Sequence, residues 1–159
     1  MDKAVFAGSF DPFTLGHLDL VQRAAPWFSE LIVLVACNPD KKGLLTLNER
    51  VEVASLSVQG IPNVHVDSWS GLVVEYLRQA NATKLLRGLR NPLDLSWEQS
   101  IAWNNAKLNP SCETIFLMAA QEHLHISSSL VRDLLRHGAD ISGLVPSPVQ
   151  PLLRRKCSD

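Results

Sequence analysis

The sequence predicts an α/β fold, a single domain built on a five-stranded parallel sheet. Three observations predict it. Short apolar runs rich in β-branched residues recur along the chain. Segments of helical length separate them, several with an apolar side. Strand and helix alternate at about 30 residues per unit, the length of a βαβ crossover. No Gly/Ser linker or low-complexity block divides the 159 residues, so one domain is expected over 1–159, with a helical tail from about residue 146.

The first run, Ala4–Ala7, reads as a strand, and Gly16–Phe28 as a helix with Leu18, Val21, Ala25 and Phe28 on one side. Leu31–Cys37 contains IVLV and reads as the second strand. The helix Leu47–Val58 is announced by Thr46 and Glu49, a capping box in which each side chain accepts the other residue's backbone N–H. Val64–Val66 is the third strand and Leu72–Ala80 an amphipathic helix. Lys84–Leu86 is the fourth strand. Pro92–Leu108 follows as a helix with proline at a favoured early position, carrying Leu95, Ile101, Ala102 and Leu108. Thr114–Met118 is the fifth strand, and Leu130–His137 a helix that stops at Gly138. Pro148–Lys156 reads as a short surface helix. This order describes a Rossmann-like doubly wound sheet, in which ligands bind outside the carboxyl ends of the strands.

Composition narrows the function. Lys and Arg number 15 against 16 Asp and Glu, a net charge of −1, whereas a dedicated nucleic-acid binder carries a basic excess. With 46% hydrophobic and 19% charged residues the chain can fill a core, which excludes a disordered segment. Cys37, Cys112 and Cys157 form no CxxC pair, poor material for a zinc site or a disulfide framework, and Cys37 reads as a small buried hydrophobe. The opening MDKAVFAGSF has no secretory pattern, and the longest apolar stretch, Leu31–Cys37, is too short to span a bilayer. A reducing cytoplasmic setting without membrane contact is the expectation.

The chemistry is read after the strands. Gly8 to His17 joins the first strand to its helix: Gly8 allows close backbone approach, Ser9 offers a hydroxyl, and Gly16 and His17 open the helix where free N–H groups and the dipole attract anions. After the second strand, Asn38-Pro39-Asp40-Lys41-Lys42-Gly43 either brings Lys41 or Lys42 to a second anion or is a solvated turn. After the fourth, Arg87-Gly88-Leu89-Arg90 sets two guanidiniums at a strand end, geometry suited to a polyphosphate. Glu98 and Asp94 are candidate structural partners for those charges; Glu98 could equally bond a nucleotide sugar or position Arg90. After the fifth, Ile126-Ser127-Ser128-Ser129 opens a helix, and three serines exceed what an N-cap needs. The spacing of His123 and His125 does not suggest metal ligation. There is no Ser-His-Asp set and no reactive cysteine context. The convergence points to phosphate chemistry by positioning and charge stabilisation, without a covalent enzyme intermediate.

GSFDPFTLGH resembles the T/HxGH signature of the nucleotidyltransferase superfamily. With NPDKKG, SGLVVEYLRQ, RGLR, FLM and ISSS in order from Ala4 to about Pro148, the chain resembles the bacterial phosphopantetheine adenylyltransferase family. The resemblance implies reversible transfer of an adenylyl group from ATP to 4′-phosphopantetheine, giving dephospho-coenzyme A and pyrophosphate. Mg²⁺ would be held mostly by phosphate and water. It implies His17 as transition-state stabiliser and ATP contact, and Ser9 and Phe10 at the ATP phosphates, with Ser9 also facing the acceptor phosphate. Lys41 and Arg87 would hold that phosphate and the Val73 backbone would border the pantetheine arm. Gly88, Leu89, Arg90 and Glu98 would contact ATP, and His123, Leu124, His125, Ile126, Ser127, Ser128 and Ser129 would close over the nucleotide. Ser9 stands where Thr is common, Trp97 where Tyr is, and QEHLH over 121–125 is less typical. The family also implies a homohexamer and inhibition by coenzyme A. Competing readings are nicotinamide mononucleotide as acceptor, cytidylyl transfer to a small alcohol phosphate, and a module that binds ATP without turnover.

Overall fold

The computed structural model describes residues 2–37 and 42–156. Its elements run β1 (Lys3–Gly8), α1 (Leu15–Ala24), β2 (Glu30–Ala36), α2 (Leu47–Val58), β3 (Val64–Trp69), α3 (Val73–Gln79), β4 (Lys84–Leu89), α4 (Pro92–Leu108), β5 (Glu113–Met118), α5 (Ser128–Arg136) and α6 (Gln150–Lys156). The strands form one sheet in the order β3-β2-β1-β4-β5, and every pairing is parallel. The α/β, Rossmann-like expectation holds. Strand order reverses between β1 and β4, and the crevice outside that point is where such sheets bind ligands.

Alternation along β1 and β2 divides the core. Ala4, Phe6, Leu31, Val33 and Val35 face α1, α2, α5 and α6, whose buried residues include Val21, Val53, Val131 and Leu153. Val5, Ala7, Ile32 and Leu34 face the other way, onto Val74, Tyr76 and Leu77 of α3. Both central strands are covered on both faces, which explains their near-continuous apolar runs. Cys112 is buried in the second cluster; Cys37 is only half-buried, because it follows the end of β2.

The structure differs from the predicted elements in several places, among them the third strand, which runs on to Trp69, and α5, which starts at Ser128. The first helix stops at Ala24, and Ala25–Trp27 is a 3₁₀ turn, because Pro26 has no N–H to continue the ladder. The fourth strand runs on to Leu89, so Arg87 and Gly88 lie inside it, paired with Phe116 and Leu117. The last helix begins as a 3₁₀ turn over Ser147–Val149, and its Val149 and Leu153 are fully buried in the main core. α4 has no buried residue: Leu95 and Leu108 of its expected apolar set are exposed, as are Leu93, Trp97 and Trp103.

Candidate active site

The loop after β1 builds one wall. Thr14 caps α1, and its capping partner at the third helical position is His17. Thr14 N–H donates to His17 Nδ1 at 3.0 Å, and the Thr14 hydroxyl lies 3.1 Å from the same nitrogen. With Nδ1 accepting, the proton of the neutral ring sits on Nε2. Desolvation, then the Arg90 and Arg87 charges, lower the pKa of His17 to about 4. His17 is therefore a neutral imidazole near pH 7, presenting an N–H donor. Phe10 stands edge-on to it at 5.0 Å, and Phe13 and Phe6 pack at 5.3 and 6.2 Å. These rings fix the imidazole plane.

β4 and the turn after it supply the cations, and α4 supplies their carboxylate partners. Arg87 donates through Nε to Glu98 Oε2 at 2.7 Å, through a terminal nitrogen to Glu98 Oε1, and through its other terminal nitrogen to the Ala7 carbonyl at 2.5 Å. Five N–H groups minus these three leave two for an anion. The Arg90 side chain meets Asp94 Oδ2 at 3.2 Å, and its backbone N–H donates to the same oxygen at 2.9 Å. Of the readings open for Glu98, the structure shows the partner of Arg87. Gly88 is required by packing: a Cβ there would overlap Leu20 of α1.

α5 closes the third side, where one of the three serine hydroxyls donates within the protein and two accept. Ser127 is the N-cap and accepts the Leu130 N–H. The Ser128 hydroxyl donates to the Pro12 carbonyl at 2.8 Å, and Ser129 Oγ accepts from Arg132 at 3.0 Å. The first amides of α5 have no acceptor within the helix, and they carry its positive dipole end.

One cavity of about 320 Å³ lies among these walls. Of the predicted site residues it is lined by Phe10, His17, Arg87, Gly88, Arg90, Glu98, His123, Ile126, Ser127, Ser128 and Ser129. Ser9, Leu89, Leu124, His125 and Val73 are not in its lining; Leu89 is buried, Leu124 and His125 are exposed, and Val73 packs at the edge of the α3 cluster. Lys41 lies outside the described residues, and Lys42 is exposed. Sequence reasoning missed Phe6, Ala7, Leu20 and Ala119 as lining residues. Phe6 and Ala7 belong to the apolar run of β1, Leu20 sits one turn after His17 on α1, and Ala119 follows β5 directly. Adjacency to the strand ends was the available signal. Among the described residues no group of three His, Cys, Asp or Glu could hold a metal. No helix there is long and apolar enough to cross a membrane.

The cavity's position at the switch point, with its cations and helix starts, suits a nucleoside triphosphate and does not by itself choose the second substrate. Comparison with known proteins is more specific. A family model described as cytidylyltransferase-like matches residues 5–134. The chain is 46% identical over 156 residues to a phosphopantetheine adenylyltransferase of Dictyoglomus thermophilum, covering 98% of this chain and 95% of that protein. It is 47% identical to the protein of that name from Carboxydothermus hydrogenoformans (98% and 96% covered) and 44% to that from Clostridium kluyveri (94% and 91%). At such identity, over nearly the whole of each chain, the protein belongs to the cytidylyltransferase-like family, in the branch whose curated members are named phosphopantetheine adenylyltransferase.

Proposed function

We propose that the protein transfers the adenylyl group of ATP to the phosphate of 4′-phosphopantetheine, giving dephospho-coenzyme A and pyrophosphate. The observation that carries the reading is the cavity, where the His17 donor, the Arg87 and Arg90 guanidiniums and the start of α5 meet. The name shared by its relatives supports the choice of acceptor. An acceptor phosphate oxygen attacks the α-phosphorus in line. The bond from that phosphorus to the bridging oxygen breaks, and pyrophosphate leaves with the electron pair. The attacking dianion is formed near neutral pH, so no general base is needed. Catalysis is positioning and neutralisation of repulsion between two anions.

In this reading His17 Nε2–H meets an oxygen that gains charge in the transition state, a contact worth about 2.7–4 kcal/mol at analogous oxyanion sites. Phe10, Gly88 and Arg90 lie along the nucleotide phosphates, and His123 with Ile126–Ser129 covers the nucleotide; Ser9, Leu89, Leu124 and His125 lie outside the cavity lining and take no nucleotide contact in this reading. Arg87, held flat by Glu98, and Lys41 take the acceptor phosphate, with Ser9 facing it and the Val73 backbone along the pantetheine arm. Mg²⁺, bound with ATP, would supply further neutralisation of the polyphosphate charge. The cavity carboxylates Asp94 and Glu98 are engaged by Arg90 and Arg87, so phosphate oxygens and water are the ligands the site leaves to the ion. We also propose a cytoplasmic homohexamer inhibited by coenzyme A. Support for an assembly comes from α4, where Leu93 is 82% and Trp97 71% exposed.

The test is Mg²⁺-dependent pyrophosphate release from ATP with 4′-phosphopantetheine, against pantetheine, nicotinamide mononucleotide, and glycerol phosphate with CTP. Release with the phosphorylated pantetheine alone is expected. Release with another pair would keep the family and replace the acceptor. ATP binding with no release in any well would leave a nucleotide-binding module.

A further inference from the structure

The Asp11 carboxylate is 6% exposed and meets no cation among the contacts of the described residues. It accepts two backbone N–H groups from a distant segment instead, those of Leu44 at 2.8 Å and Leu45 at 2.9 Å. That segment leads into α2, and in the chain it follows the two lysines Lys41 and Lys42. The loop carrying Asp11 is held on its other side through main-chain carbonyls. Arg50 of α2 donates to the Ser9 carbonyl at 3.2 Å, Arg132 of α5 to the Asp11 carbonyl at 2.8 Å, and Ser128 to the Pro12 carbonyl. Arg50 is itself buried, and its Nε has no partner among the described residues.

We propose that Asp11 is a positioning residue. Its carboxylate locks the loop after β1 to the Leu44–Leu45 segment before α2, and so sets the spacing between the nucleotide-side groups and that segment. This rests on the assignment of the acceptor phosphate to the lysine segment. Two charge-assisted bonds to consecutive amides fix both the position and the direction of that segment. The nucleotide side does not depend on the carboxylate, because Arg50, Arg132 and Ser128 hold main-chain carbonyls that every substitution at position 11 retains. Loss of the carboxylate therefore acts on acceptor binding and spares ATP binding. Gly43 gives access to the same contact from the opposite side: a Cβ there would stand 2.5 Å from Asp11 Oδ2 and force the carboxylate away.

Asp11→Ala and Gly43→Ala are each expected to raise the KM for 4′-phosphopantetheine about tenfold, the factor equivalent to about 1.4 kcal/mol. The KM for ATP and kcat stay within about threefold in both. The double variant is no worse than Asp11→Ala alone, because the added methyl then has no carboxylate to displace. A purely structural role would lower thermal stability and leave the acceptor KM unmoved. That result in either folded variant, or additive effects in the double variant, overturns the proposal. Lys41→Ala is run beside them to separate the two readings. If it raises the acceptor KM and the Asp11 and Gly43 variants do not, the lysine assignment survives and the positioning role falls. If they raise it and Lys41→Ala does not, Asp11 positions the segment and the acceptor contact belongs to another of its residues. Should Asp11→Ala fail to fold, Gly43→Ala decides alone.

Discussion

Replacing His17 by Asn isolates the ring donor. Asn sets its Oδ1 where Nδ1 stands, so the Thr14 N–H, now bonded to His17 Nδ1 at 3.0 Å, keeps its acceptor. Ala would remove both that cap, worth about 1 kcal/mol, and the packing against Phe10 and Phe13. The Asn side chain is too short to set an N–H where the aromatic wall holds Nε2, so that donor is lost. On the reasoning that this donor meets charge formed only in the transition state, kcat falls about 10²–10³-fold. ATP affinity by calorimetry stays within about tenfold. A kcat within about threefold of wild type would refute the donor role. A loss of ATP affinity equal to the loss in kcat/KM would refute its selectivity for the transition state.

The same residue gives a test without substrate. His17 is lowered from 6.5 to about 4 by desolvation, Arg90 and Arg87, so between those values the unfolded chain binds a proton that the native one does not. Stability is then full above pH 6.5 and is lost as pH falls through 4. From pH 7 to pH 5 this group alone removes about 2 kcal/mol. Urea unfolding at the two pH values is expected to show that loss in wild type and its absence in His17→Asn. Equal losses in both would mean that the imidazole is not held neutral.

Glu98→Gln breaks the bidentate hold on Arg87 and is expected to lower kcat/KM for 4′-phosphopantetheine by about 10–100-fold in steady-state kinetics, with a smaller change for ATP. Gly88→Ala drives a methyl into Leu20 beneath the cavity, so thermal melting is expected to show a loss of about 1–3 kcal/mol. Leu93→Lys with Trp97→Lys puts two charges on the exposed side of α4, and sedimentation velocity is expected to show a smaller species than wild type. An unchanged sedimentation coefficient would place the assembly contact elsewhere.

The strands were legible because β1 and β2 are covered on both faces, which makes Val5–Ala7 and Leu31–Val35 continuous apolar runs. Capping chemistry was legible where it is local: Thr46 and Glu49 form the predicted box, and α2 has the predicted bounds. Features that depend on a distant partner were not legible. The fourth strand looked finished at Leu86 because a charge follows, yet the chain stays in the sheet. Arg87 is satisfied by Glu98 on α4 and by Ala7 on the neighbouring strand. The apolar residues of α4 suggested a core-facing helix, whereas of that set only Ile101 and Ala102 are half-buried, and the same side carries the polar Asp94 and Glu98, bonded to Arg90 and Arg87.

The serines show why the same motif admits two kinds of site. From sequence, Ser127, Ser128 and Ser129 form a row of hydroxyls, and a row of hydroxyls implies contact with phosphate. In the fold, the Ser128 O–H donates to the Pro12 carbonyl in the loop after β1, whereas Ser127 and Ser129 accept, from the Leu130 N–H and from Arg132, bonds that leave their O–H groups as donors. Arg132 also reaches the Asp11 carbonyl. Ser128 and Arg132 therefore tie the start of α5 to the loop that leads into α1. Hydroxyls on a mobile helix end would have to be ordered each time an anion bound, and that ordering opposes binding. Amides of a helix end fixed by two such ties are already ordered. In the proposed reading, phosphate at this wall meets the main-chain N–H groups with the Ser127 and Ser129 hydroxyls, and Ser128 and Arg132 act one step back, by holding two helix N-termini toward one cavity.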